Sequence, residues 1–260
     1  MCSLLAFGLT RLPGGVNANT LWSIGLGTIH EYNVLELNLG FDVQAAQHQK
    51  RELIIYILIA NMPQLIMSLL YFSYNNLFTR MMSAVEWNRF AHERKGIRVS
   101  SKPKGTQRSR YFLQLPYRIS IPLIIVSTAM HWLISQSLFV VAIQQFNSSY
   151  EIIEGGWTLL ACGYSPIAIL LVIIIACGLV IALLVTGALR FRSGMPVAAT
   201  CSMAIAAACH SSEGASTSLT AESPVKWGVM GMVHHSGEAY AHCGFSAGPV
   251  TEPEENTLYL

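Results

Sequence analysis

From Ile167 to Val185 the chain carries no charged residue, and apart from Cys177 and Gly178 every side chain in the stretch is aliphatic or Ala. At about 1.5 Å per residue such a helix approaches the roughly 30 Å thickness of a bilayer's hydrocarbon core. Pro166 stands at a helix-start position, and Arg190 with Arg192 closes the far end. Composition removes the alternative of a helix wrapped in a large soluble core. Hydrophobic residues make up 52% of the chain and charged residues 12%, against roughly a quarter charged in soluble proteins. The bilayer is therefore the solvent that matters.

Two further uncharged stretches are long enough to cross it. One runs from Leu53 to about Tyr74 and contains Asn61, Pro63, Gln64 and Ser68. The other runs from Ile119 to about Ile143, with Ser127, His131, Ser135, Gln136 and Ser137 along it. Lipid penalises such polar groups, so these faces are expected to point into a helical bundle. Pro63 is expected to kink the first helix. With the third helix over about 166–189, this gives a transmembrane region spanning 51–192.

Basic residues orient the spans. The 77–118 loop contains Arg80, Arg89, Arg94, Lys95, Arg98, Lys102, Lys104, Arg108, Arg110 and Arg118, whereas the segment from Gln144 to Ser165 has no Lys or Arg. The positive-inside rule makes the first loop cytosolic, and with it the 193–260 tail. Lys50 and Arg51 argue weakly the other way. Residues 1–50 are weakly apolar, with Ser3 to Leu9 and Leu21 to Leu26 too short to span and without the pattern of a signal peptide. An outside N-terminus of this kind leads to the expectation that upstream membrane passes are missing.

Within the basic loop, Leu77, Met81, Val85, Ala84, Trp87 and Phe90 share one helical face. The expectation is an interfacial extension of the first span, ended near Gly96. A short hairpin should follow, with Ile97 to Ser100 and Arg110 to Leu115 around the turn residues Lys102-Pro103-Lys104-Gly105. Ten basic residues against Glu86 and Glu93 leave the loop at +8. Attraction to anionic headgroups through Arg80, Arg89, Arg94, Lys95, Arg98, Lys102, Lys104, Arg108 and Arg110 is one consequence; topology alone also accounts for the charge. No nucleic-acid module is present, so nucleic acid is not an expected partner.

The tail offers weaker signals. Small residues from Pro196 to Cys209 lead into a Ser/Gly/Thr-rich stretch, and a partly disordered cytosolic segment is expected there, followed by short strands at Lys226 to Val233 and Ala239 to Ser246. Cys201, Cys209, His210, His242 and Cys243 are donors suited to zinc. Their spacing matches no metal motif, so the expected cofactor is none, with zinc in the tail and acylation of Cys201 as minority readings. Asn147-Ser148-Ser149 is a glycosylation sequon on the outer side. A phosphate loop, a His-Glu-x-x-His motif and a nucleophile elbow are all lacking, which lowers the expectation of an enzyme.

Several runs together resemble a family of fungal multi-pass membrane proteins defined by a domain of unknown function. They are Ala60-Asn61-Met62-Pro63-Gln64, Glu86-Trp87, Arg98-Val99-Ser100, Gln107-Arg108-Ser109, Tyr111 through Arg118, His131-Trp132-Leu133 with Ser135-Gln136-Ser137, Gly163-Tyr164-Ser165-Pro166, and in the tail Cys201, Cys209-His210, Trp227-Gly228-Val229 and His242-Cys243. The resemblance covers roughly 53–260 and implies longer relatives with further passes upstream; it carries over no activity and no catalytic residue.

The expected architecture is thus an all-α membrane protein of three spans, in the plasma membrane or an endomembrane. Its expected role is a non-enzymatic structural or interaction component, with other transmembrane helices, anionic lipid and a cytosolic protein as partners. Ser127, His131 and Ser135 share a face on the second helix, with Gln136 adjacent, and Asn61, Gln64 and Ser68 share one on the first. These polar groups can bond helix to helix, and the alternative reading is a transporter or channel fragment that uses them.

Overall fold

The computed structural model describes residues 2–11, 17–35, 46–146, 152–190, 194–198, 201–210, 217–235, 238–254, 257 and 259. They divide into two compact units, Met1–Ser73 with Ile121–Thr186, and Tyr74–Ser120 with Gly187–Leu260. The Asn147 sequon lies outside the described residues.

In the first unit, helices α1 (Cys2–Thr10) and α2 (Ala18–Ile24) lead to a short 3-10 turn (Glu31–Asn33) and strand β1 (Val34–Leu35). The long helix α3 (Ala46–Arg89) begins here and continues into the second unit. Most of α4 (Tyr117–Ser137), strands β4 (Leu138–Phe146) and β5 (Ile152–Tyr164), and α5 (Pro166–Ala188) complete it. Strands β1, β5 and β4 form one antiparallel sheet with β5 in the centre. Met67, Met130, Leu133, Ile134 and Val172 bring α3, α4 and α5 together in a buried cluster.

Among the described residues, three helical segments are long and apolar enough to cross a membrane: Arg51–Arg89, Tyr117–Ser137 and Pro166–Ala188. The expectation of an all-α chain is corrected by the β4–β5 hairpin. The second helix stops at Ser137 rather than running to Ile143, because Leu138 onward pairs with β5, Leu138 opposite Tyr164 and Val140 opposite Cys162. A short apolar run rich in Val, Ile and Phe suits either structure, and the strand is favoured by a partner of matching register. Gly163 is needed in that register, since a Cβ there would strike the Phe139 ring.

The N-terminal segment fastens onto the same sheet. Tyr164 Oη donates to the Tyr32 carbonyl at 3.0 Å, and Ser165 Oγ to the Gly25 carbonyl at 3.2 Å. Gly8 packs so closely on Tyr164 that a Cβ would come within 2.6 Å of its ring.

The second unit comprises the end of α3, strands β2 (Arg98–Val99) and β3 (Arg108–Ser109), helices α6 (Ser202–Cys209) and α7 (Thr217–Glu222), and an antiparallel hairpin of β6 (Lys226–His235) and β7 (Glu238–Ser246). β6 and β7 overlie the two stretches, Lys226 to Val233 and Ala239 to Ser246, expected as short strands. In the loop, β2 and β3 pair in parallel and not as a hairpin. The chain between them is drawn aside: Gly105 adopts φ +55°, and Thr106 N donates at 2.9 Å to the Glu222 carbonyl at the end of α7.

Candidate functional site

Trp87 and Phe90, read from sequence as part of a membrane-surface face, instead make the core of the second unit. Phe245 of β7 meets both rings edge-on, at 5.4 Å from Trp87 and 5.3 Å from Phe90. Phe90, Ala91, Ala208, Val225 and Trp227 are buried around them. Backbone bonds join the same parts: Lys95 and Val225 exchange a pair at 3.0 Å, and Trp227 N donates to the Phe90 carbonyl at 2.9 Å. The end of α3 therefore has its apolar face covered by the tail, which leaves its polar face and the basic loop to form a site.

On that face Glu86 is the pivot. Its Oε1 accepts from Arg98 Nε at 2.6 Å and from Arg108 Nη2 at 3.1 Å. Arg98 spends its other nitrogens inside the protein, donating from Nη1 to the Ser109 carbonyl at 2.8 Å and from Nη2 to Tyr111 Oη at 2.6 Å. Its guanidinium carbon also lies 3.8 Å from the centroid of the Tyr111 ring. Arg108 Nε donates to the Gly96 carbonyl at 2.9 Å. One carboxylate thus ties both short strands to the helix, with planar guanidinium groups suited to several fixed bonds at once.

Beside this network lies a cavity of about 90 Å³, lined among others by Glu86, Arg89, Lys95, Arg98, Arg108 and Tyr111. Gln114, also on its wall, has φ +62°, the only non-glycine residue with positive φ among those described. The turn there is closed by Gln114 N donating to the Tyr111 carbonyl at 3.2 Å. Pro116, which also lines the cavity, immediately precedes α4.

The basic residues grouped by sequence as lipid-facing fall into two sets. Arg94 is turned to the tail, donating to the Ser246 and Ala247 carbonyls at 3.4 and 2.8 Å and also to Gly248. Arg98 and Arg108 hold Glu86, and Lys95 pairs with Glu93, which holds the exposed Glu93 carboxyl below its ordinary range. The exposed side chains of Arg80, Arg89, Lys102, Lys104 and Arg110 make no hydrogen bond or ion pair among the described residues.

The polar residues of the apolar helices do not all face a bundle. Asn61 is exposed and donates to the Ile57 carbonyl of its own helix at 2.8 Å, and exposed Ser68 does the same to Gln64 at 3.0 Å. The carbonyl four residues back satisfies each group without a second helix. Gln64, Ser127, His131, Ser135 and Gln136 are partly buried, and Gln136 packs against Gly27 of the N-terminal segment.

In the tail, the structure brings two of the candidate metal donors together. The His210 and His242 rings meet edge-on at 5.9 Å, with His242 Nε2 3.3 Å from the His210 carbonyl oxygen. Cys201 and Cys209 are exposed at the two ends of α6, and Cys243 is half-buried. Among the described residues no three His, Cys, Asp or Glu gather as a metal-binding group. Sequence reasoning missed the part played by Glu86, and its only signal was that it is one of two acids in a loop with ten bases.

A family model described as Domain of unknown function (DUF8419) matches residues 28–238. It takes in α3, α4, α5, the basic loop and the first strand of the tail hairpin, and ends where β7 begins. Neither the curated proteins nor the solved structures compared with the chain include a match.

Proposed function

We propose, for a chain that belongs to the DUF8419 family, that it is an integral multi-pass membrane protein acting as a non-enzymatic structural or interaction component. The observation that supports this most is the outward surface of the three long apolar helices. Leu58, Leu65, Leu69 and Phe72 on α3, Ile125 on α4, and Ile181 and Leu184 on α5 are each at least 60% exposed. Burying one such side chain is worth about 1.5–3 kcal/mol, so a surface of this kind is stable in lipid and not in water.

In this reading the basic loop and the tail share the cytosolic side, by the charge asymmetry of the two loops. Arg80, Lys102, Lys104 and Arg110, exposed and without an ion pair among the described residues, face anionic headgroups at about 1 kcal/mol for each residue near the surface. Other transmembrane helices cover part of the apolar surface, a cytosolic protein engages the loop and tail, and the protein is of fungal type. Back-bonding of Asn61 and Ser68 to their own helix favours this role over a transport path through those groups. Neither zinc nor any other cofactor enters the proposal.

Two measurements test it. The full chain should stay with membranes after alkaline carbonate extraction, and release into the supernatant would overturn the integral assignment. A lone cysteine placed at Ser101 should react with an impermeant maleimide only after permeabilisation. Reaction in intact cells would reverse the orientation.

A further inference from the structure

The Glu86 network accounts for Arg98 completely and for Arg108 in part, but not for the other cations around the same cavity. Arg89, Lys95, Arg98 and Arg108 face it together with one carboxylate, Glu86, which leaves the lining at +3. Glu93, outside the lining, pairs with Lys95 and also attracts Arg89, so that with it counted the surplus around the cavity is +2. Arg89 has all its side-chain donors unused among the described residues, and Arg108 keeps Nη1 unused while Nε and Nη2 are bonded. Folding alone does not require this excess, because Glu86 with Arg98 and Arg108 already fixes β2 and β3 to α3. Like charges crowded at a partly shielded site repel each other unless a counter-charge enters.

We propose that this cavity binds a phosphate group, with Arg89 and Arg108 as its principal ligands and Lys95 as a further charge. Guanidinium forks match the paired oxygens of a phosphate better than any other anion-binding side chain does. The Glu86 and Tyr111 contacts hold Arg98 rigid, so the rim of the cavity is organised before a ligand arrives. The surplus of positive charge disfavours a metal cation, and the desolvation of four bases disfavours a wholly apolar ligand.

Two observations favour a lipid phosphate over a soluble one. Pro116 ends the cavity wall where α4 begins, and the adjoining Phe112 and Tyr117 are 86% and 53% exposed. Exposed aromatics beside an apolar helix suit the headgroup level of a bilayer. This choice of source rests on the membrane reading above; the phosphate chemistry does not.

The test uses the full chain in neutral detergent micelles, titrated with inorganic phosphate, and in nanodiscs of phosphatidylcholine with or without phosphatidic acid. Arg89→Gln is the informative variant, since the Arg89 side chain makes no hydrogen bond or ion pair among the described residues and meets Glu93 only through space. Lys226→Gln, a tail base outside both the cavity lining and the lipid-facing set, is the control. Saturable binding that Arg89→Gln weakens about tenfold and Lys226→Gln changes less than twofold supports the site. Phosphatidic acid retained with inorganic phosphate ineffective assigns the lipid source, and inorganic phosphate binding of similar strength assigns the soluble one. Equal losses in both variants, an unaffected Arg89→Gln, or no saturable binding to either probe would overturn the site. Because the phosphate titration is done in detergent, its failure is separate from failure of carbonate extraction.

Discussion

Glu86 and Arg98 stand 2.6 Å apart, Oε1 accepting from Nε, with 28% and 24% of their side chains exposed. Such partial shielding places the pair between a weak surface ion pair and a costly buried one. Arg108 shares the same oxygen at 3.1 Å, so removing the carboxylate strands two guanidinium groups at once. Glu86→Gln is expected to lower stability by about 1–3 kcal/mol, as for other charge-assisted bonds left without an acceptor. Thermal unfolding of the detergent-solubilised chain measures it. A double-mutant cycle with Arg98→Gln should show coupling, and strictly additive losses would mean the pair is incidental.

Gly96, placed by sequence at the end of the first helix, serves a different purpose. The helix ends at Arg89, and Gly96 lies against the backbone of Thr106, whose carbonyl oxygen a Cβ would strike. Thr106 cannot withdraw easily, since Thr106 N is bonded to Glu222 O at 2.9 Å and the neighbouring Arg108 N to Ile97 O at 2.9 Å. Gly96→Ala should therefore cost about 1–3 kcal/mol, the usual penalty of overpacking. Gly187→Ala in α5, where a Cβ would meet nothing within 4 Å, serves as the near-neutral comparison. Equal unfolding midpoints for the two variants would contradict the close approach.

What sequence made visible was what depends on neighbours in the chain. The helix Pro166–Ala188 could be read almost to its ends because length and unbroken apolarity suffice for that conclusion. The apolar face of Trp87 and Phe90 was also visible, but the surface it covers was not. Its partner Phe245 lies more than a hundred and fifty residues away, and an amphipathic pattern is the same whether lipid or a strand lies opposite. Leu138 to Ile143 failed for a related reason, since only pairing with β5 distinguishes a strand from a continuing helix. Of the candidate site, the number of bases is legible in the chain, while their division between tail carbonyls, Glu86 and solvent depends on contacts at long range.

Gln114 holds a left-handed backbone conformation at φ +62° on the cavity wall. A residue with a Cβ gives up about 1–2 kcal/mol there, and glycine does not, although its greater freedom in the unfolded chain offsets part of the gain. Gln114→Gly should leave stability unchanged or raise it by up to about 1 kcal/mol, whereas β-branched Gln114→Val should lose about 1–2 kcal/mol. The order of melting temperatures checks this, and a Val variant as stable as the parent would show that the turn is not constrained.

Cys243 gives a prediction in pH. It sits half-buried on β7 beside the Trp87 and Phe90 core, and burial pushes its thiol above the ordinary value of 9.0. A raised thiol pKa means less thiolate at any given pH, and the thiolate is the reactive form. In a variant keeping Cys243 as its sole cysteine, alkylation by iodoacetamide should be slow at neutral pH. Its rate should rise at a higher pH than in the same chain unfolded by denaturant. The same sign governs stability: the folded thiol keeps its proton longer than the unfolded one. Its contribution is thus full below the unfolded pKa and fades as pH rises through the folded value. Unfolding midpoints should accordingly fall on the alkaline side more for this variant than for its Cys243→Ala counterpart. Coincident rate profiles for folded and unfolded chains would show that burial leaves this thiol unperturbed.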